Sequence, residues 1–234
     1  MVLIRNFRLG RFLWTLFVVW YFINFSHNFF NSLNPLKASI PFLFFIILVC
    51  WMGIEYYFNS PFWQSGIIVP PKLEQTLLAI FLYGSAIYSI ADYSALNLTQ
   101  LDFLNPYINI LGIAIFLIGV LLRIYTLFEL LKNPHQHFFK ITIFQTCRHP
   151  RHLGTILQVI AIPLIFSSYL GLVIIFVCLY LIYRIMNNEE KVIEKNFKDE
   201  YLNYRQAVPF IIPKFSQRRI AKVKSKRKPN AKTK

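Results

Sequence analysis

The sequence predicts an all-α, polytopic integral-membrane bundle of about six spans, closing in a C-terminal helical hairpin with both termini cytoplasmic. Three observations lead there. The 234 residues are 56% hydrophobic and 15% charged, with 24 Phe and 13 Tyr, which leaves too little polar surface for a soluble domain. Several apolar runs approach or exceed the ~18–20 residues a helix needs to cross the hydrocarbon core. Finally, the basic residues between those runs fall mostly in alternate loops, which orients such a bundle.

The elements follow in chain order. Arg5, Arg8 and Arg11 precede an apolar run from Phe12 to Phe25, as in a secretion signal, but no clear small-x-small cleavage site follows. A retained first helix over 12–30 is expected. Further spans are expected at 41–59, 73–93 and 108–131, separated by Asn34-Pro35 and Pro41, by Pro61 and Pro70-Pro71, and by Asn97 and Asn105-Pro106. The final runs, 153–167 and 170–187, could form one helix, but at 1.5 Å per residue it would overshoot a core of ~30 Å. Ser167-Ser168-Tyr169 with Gly171 offers a tight turn, so a hairpin is expected.

This count places the N-terminus, the 60–72 loop, the 132–152 loop and the tail on one face. These carry Arg5, Arg8, Arg11, Lys72, Lys132, Lys140, Arg148 and Arg151, whereas the opposite loops hold little beyond Lys37 and Asp102. That face is expected to be cytoplasmic. The tail from Lys214 to Lys234 has ten basic residues and no acidic one. On so apolar a chain it marks topology or meets anionic membrane lipids, and no nucleic-acid partner is expected. Cys50, Cys147 and Cys178 form no framework, and no disulfide is expected.

Candidate chemistry gathers late in the chain. His135, His137, His149 and His152 share an 18-residue window with Cys147 and Arg148. The spacing lacks the paired Cys-x2-Cys elements of structural zinc sites and the repeated histidine boxes of membrane di-iron oxygenases, so no metal is expected. The window reads either as a solvated interfacial loop or as a pocket for an anionic or zwitterionic ligand, with Arg148 and His149 as donors. At the end of the last run stand Glu189 and Glu190. Glu189, Ile193, Phe197 and Tyr201 recur every four residues, which sets a carboxylate and two aromatic rings along one side of a helix. Such a stripe can pack against the bundle, and it can also meet a ribose diol or a sulfonium centre.

Two ordered motifs carry a resemblance. Arg148-His149-Pro150-Arg151-His152-Leu153-Gly154 precedes the apolar hairpin; Glu189-Glu190, Phe197, Tyr201, Tyr204, Val208-Pro209 and Pro213 follow it. This pattern, spanning roughly 108–213, resembles the isoprenylcysteine carboxyl methyltransferase family, and the related phospholipid N-methyltransferases have a similar signature. The resemblance implies three segments: N-terminal spans over 1–107, a catalytic region over 108–213 and a basic tail over 214–234. It also implies S-adenosyl-L-methionine as cofactor, bound near the cytoplasmic face and contacted by Arg148, His149, Pro150, Arg151 and His152. Glu189 holds its polar end, while His137, Phe138 and Phe144 line the same pocket. Arg184 is expected to meet an anionic substrate, and Glu190 to act beside it. The implied substrate is lipophilic, for instance a prenylated cysteine.

The chain departs from that pattern at four places. His152 replaces the usual Tyr of Arg-His-Pro-x-Tyr, and Thr142-Ile143-Phe144 stands where Gly-Pro-Tyr is common. Lys198 replaces a glycine, and Phe210 an arginine. Three functions therefore stay open: carboxyl methylation, methylation of a phospholipid amine, and a catalytically inactive membrane scaffold.

Overall fold

The structure is a computed structural model, and it describes residues 16, 18–23, 35–57, 72–133 and 140–213. Within them the chain is all-α, as expected, with a single isolated bridge between Gln100 and Ser168. Residues 18–23 are helical and precede α1 (Pro35–Tyr57), α2 (Lys72–Ala91), α3 (Tyr107–Lys132), the short α4 (Thr142–Thr146), α5 (Pro150–Ile165) and α6 (Tyr169–Ala207). By length and composition Leu73–Ser94, Tyr107–Lys132 and Tyr169–Ala207 can each cross a membrane, and the apolar helices over Ser39–Ile54 and Pro150–Ile165 are shorter.

The hairpin is present. Phe166, Ser167 and Ser168 break the chain between α5 and α6, with Ser167 at φ 48° and the Ser168 hydroxyl capping α6 by accepting from the Gly171 N–H. Pro150 opens α5 at a position where its missing N–H costs nothing. α5 lies against α3, and glycines set the separation. A Cβ on Gly119 would meet the Gly154 carbonyl oxygen at 2.7 Å, and one on Gly154 would meet the Arg123 side chain at the same distance. Small residues at a helix–helix crossing let backbones approach closely, which suits packing in lipid.

The core is aromatic. Phe44 of α1 packs edge-on against Phe116 and Phe166 at 5.1 and 5.3 Å between ring centres, and Trp51 meets Phe116 at 5.8 Å. The opposite surface of the helices is greasy rather than polar. Leu121, Phe128, Phe176 and Tyr180 are each more than half exposed, as expected of side chains that face lipid.

The turn end of the hairpin is tied down by polar groups. Asp92 accepts from the Leu98 and Thr99 amides at 2.8 and 3.2 Å and from the Thr99 hydroxyl at 2.6 Å. Asn109 donates to the Ile165 carbonyl and the Ser167 hydroxyl, and Gln100 donates to the Phe166 carbonyl. Backbone bonds from Leu101 to Ser167 and from Tyr169 to Thr99, both 2.9 Å, complete the seam.

Two boundaries differ from expectation. α1 begins at Pro35, six residues before 41, and carries inside it Pro41, the proline expected to separate two spans. The last helix continues twenty residues beyond 187, to Ala207. Its extension is stabilised by burial: Ile193, Tyr201 and Val208 pack with Ile141, Ile143 and Phe144, with Phe197 against their edge. Lys198 interrupts this extension at φ 41°, ψ −120°, a backbone conformation that glycine adopts far more readily.

Candidate functional site

At the open end of the hairpin the two motifs meet. Arg148 and His149 lie just before α5, Arg151 and His152 occupy its first turn, and Glu189-Glu190 face them from α6. Arg148 Nη1 donates to Glu190 Oε1 at 2.6 Å, and His149 Nε2 lies 3.2 Å from the same oxygen. The buried Tyr201 ring lies beside the pair, its hydroxyl near Arg148 and Glu190. Arg205 approaches Glu190 Oε2 at 3.8 Å while pairing with Glu194 at 3.1 Å. Glu190 is therefore fully engaged.

Glu189 is not. It is 3% exposed, and its nearest polar neighbours are His149 Nδ1 at 3.8 Å and His152 Nε2 at 3.7 Å, beyond hydrogen-bond reach. Glu189 Oε1 and His152 Nε2 are both buried without a hydrogen-bond partner. Burial holds the His149 imidazole below its ordinary value, a shift opposed by the hydrogen bond to Glu190 and by its charge, while the Arg148 charge adds to it. A neutral His149 that gives its Nε2 proton to Glu190 turns the lone pair of Nδ1 toward the Glu189 carboxylate. Polar atoms left short of partners in a buried site call for a ligand that can hydrogen-bond them, such as a hydroxyl pair or an ammonium group.

A metal ion is the other occupant this geometry permits, since ligand atoms of His149, His152 and Glu189 lie within 4.8 Å of one another. The guanidinium groups of Arg151 and Arg123 act on His152 through space and oppose a divalent cation there. Cys147 is not among these ligand atoms, and burial pushes its thiol up to about 11.

The structure brings Arg148, His149, Pro150, Arg151, His152, Glu189 and Glu190 together. Phe144 lies one layer away; its carbonyl accepts from the Tyr204 hydroxyl at 2.6 Å, so it joins α4 to the end of α6. His135, His137 and Phe138 lie outside the described residues. Arg184 is placed elsewhere on α6, half-exposed and paired with Glu74 of α2 at 3.3 Å. The three cysteines are free.

Two participants escaped the sequence reading. Phe210 lies under the Arg148 guanidinium at 5.0 Å and edge-on to His149 at 5.0 Å, held by a bond from the Arg148 amide to the Pro209 carbonyl at 2.9 Å. Its aromatic ring roofs the site where the family pattern carries a cation. Arg123 is wholly buried in α3, donates to the Thr155 hydroxyl and packs over Trp51. A cation inside an apolar span was the signal that could have found it.

Comparison with known proteins adds one finding. Residues 107–200 match the family model described as phospholipid methyltransferase, a segment that takes in α3, α4, α5 and most of α6. No curated protein matches the chain, and no solved structure does. With its apolar helices and its buried motif cluster, the chain carries a region over 107–200 that is similar to the phospholipid methyltransferases.

Proposed function

We propose that the protein transfers a methyl group from S-adenosyl-L-methionine to the carboxylate of a lipophilic, isoprenylcysteine-type acceptor at the membrane. In this reading residues 108–213 form the catalytic region, residues 1–107 supply further membrane helices, and the site faces the cytoplasm beside the basic tail. The observation that carries the choice is the state of Glu190. Arg148 and His149 both bind its carboxylate, so it is poorly placed to take a proton from an amine. A carboxylate nucleophile needs no base; it needs a cation to orient it, and Arg184 offers a half-exposed one.

The buried donor–acceptor pattern fits the cofactor. Glu189 Oε1, which lacks a partner, would take hydrogen bonds from a ribose diol or an ammonium group, and His152 Nε2 would share them. Arg148 and His149 keep Glu190 in place and close the polar side, while Phe210 covers it from water. His137, Phe138, Phe144, Pro150 and Arg151 complete the assigned lining. When bound, the cofactor supplies an electrophilic methyl group on sulfonium, which is displaced in line. The chain's own contribution is alignment and exclusion of water, which can supply several kcal/mol without a covalent intermediate.

A second reading, methylation of a phospholipid amine, is favoured by the family match over 107–200. One experiment separates the two. Membranes containing the protein are incubated with methyl-labelled S-adenosyl-L-methionine, and the lipid-soluble product is treated with mild base. Label released as methanol means a methyl ester; label retained in lipid means an N-methyl group and rejects the carboxylate acceptor. No incorporation above control membranes favours the inactive scaffold.

A further inference from the structure

Glu74 lies in the first turn of α2, outside the matched segment, and no motif contains it. Its side chain is 13% exposed. Asn188 Nδ2 spans both of its carboxylate oxygens at 3.1 and 3.0 Å, and Arg184 Nη2 lies 3.3 Å from Oε1. Arg184 Nη1 in turn reaches the Tyr180 hydroxyl at 3.3 Å. Arg184 and Asn188 are one helical turn apart, so both face α2, and Asn188 immediately precedes the Glu189-Glu190 pair.

A half-exposed ion pair adds little to stability, so stability is a poor reason for this arrangement. Its geometric result is more informative. Glu74 and Tyr180 together use two of the five guanidinium N–H donors and fix a flexible side chain in one orientation. Arg184 is half-exposed, and Leu73, next to Glu74 in sequence, and Tyr180 and Tyr183 on α6 are exposed as well. Arg184 precedes Glu190 by six residues, about 9 Å along the helix axis. A cation held there, beside greasy surface and close to the buried cluster, suits the anionic group of a molecule whose tail stays in the membrane.

We propose that Glu74 is a positioning residue, holding Arg184 so that its remaining donors receive the anionic group, carboxylate or phosphodiester, of a lipophilic acceptor. The inference rests on the reading of Arg184 as the acceptor's cation. It makes α2, and with it the part of the chain before residue 107, a working component of the acceptor site.

The test measures binding to the full-length protein in detergent. The probes are N-acetyl-S-farnesylcysteine against its uncharged methyl ester, and phosphatidylethanolamine against diacylglycerol. The expected result is about a tenfold preference for the charged member of at least one pair, the worth of a charge-assisted hydrogen bond. Which pair shows it identifies the source of the anion. Glu74→Gln should bring that preference to near parity while leaving affinity for the uncharged member, and for labelled S-adenosyl-L-methionine, unchanged. The exchange Glu74→Arg with Arg184→Glu rebuilds an ion pair between the same helices and should abolish or invert the preference. A preference that survives either variant, or a native protein that does not distinguish charged from uncharged, overturns the inference. Cofactor binding without charge preference would reject Glu74 and keep the methyltransferase reading. Charge preference that tracks Glu74 without cofactor binding would do the reverse.

Discussion

The two ends of the α5–α6 hairpin are both polar, and they differ in how their carboxylates are treated. At the turn end Asp92 accepts three hydrogen bonds, two of them from backbone amides. At the open end Glu189 is buried just as deeply, yet one of its oxygens meets no donor. Amide oxygens of Gln100 and Asn109 are also unpaired near the turn, but each belongs to a side chain that donates to a backbone carbonyl. A buried acid whose bonds are all made inside the chain belongs to the architecture. One left short is a place where a ligand can be stabilised.

The sharpest way to break this contrast is to remove each carboxylate in turn. Glu189→Gln should lower the affinity for labelled S-adenosyl-L-methionine about a hundredfold, the scale of a lost charge-assisted pair of hydrogen bonds, with little change in thermal unfolding. Asp92→Asn should do the opposite, costing about 2–3 kcal/mol of stability while the folded protein keeps its cofactor affinity. Equal losses of cofactor affinity in both variants would dissolve the distinction.

Between the two ends, the α3–α5 crossing should resist any added bulk. Gly154→Val places a side chain against the Gly119 carbonyl, 2.8 Å from the first added carbon, and should cost about 1–3 kcal/mol as strain. Unfolding in detergent measures it, and no loss would mean that the helices can separate. The extension of α6 offers a smaller effect of the opposite sign. Lys198→Gly relieves a positive φ and should raise stability by about 1 kcal/mol in the same assay.

The smallest effect concerns pH. Because the native His149 imidazole lies below the ordinary 6.5, the unfolded chain takes up its proton first as the solution is acidified. The contribution is fully present above that value and is lost as pH falls through the lowered native one. Below pH ~6.5 the melting temperature of the native protein should therefore fall relative to that of His149→Gln, the difference isolating this group from the other buried acids and bases. A difference that stays constant with pH would show that another group governs the fall.

Much of the open end was legible because its residues are contiguous in two short motifs. Arg148, His149 and Glu189 could be nominated from residue type and spacing, and Pro150 through His152 with Glu190 from the resemblance that the two motifs carry. Arg184 shows where that method stops: a helix of known register still has sides, and only packing decides which side meets α2 and which meets the motif loop. Glu74 was invisible for a related reason, and Phe210 stood out only as a departure from the motif, since each touches the site through partners more than twenty residues away. The aromatic stripe over Glu189, Ile193, Phe197 and Tyr201 admitted both packing and binding, and the structure assigns Ile193 and Tyr201 to a buried cluster.

What the sequence by itself determined is the class: apolar runs of membrane length must satisfy their backbone groups internally, so helices follow from composition alone. It also set the hairpin, because a single helix through both runs would be too long for the bilayer. Only the tertiary structure decided which polar groups are satisfied. Asp92 and Glu189 both stand where the apolar run of their helix gives way to polar sequence. Their difference lies in where donors reach: the turn six and seven residues on brings Leu98 and Thr99 within 3 Å of Asp92, whereas the start of α5, about forty residues away, leaves His149 and His152 nearly 4 Å from Glu189.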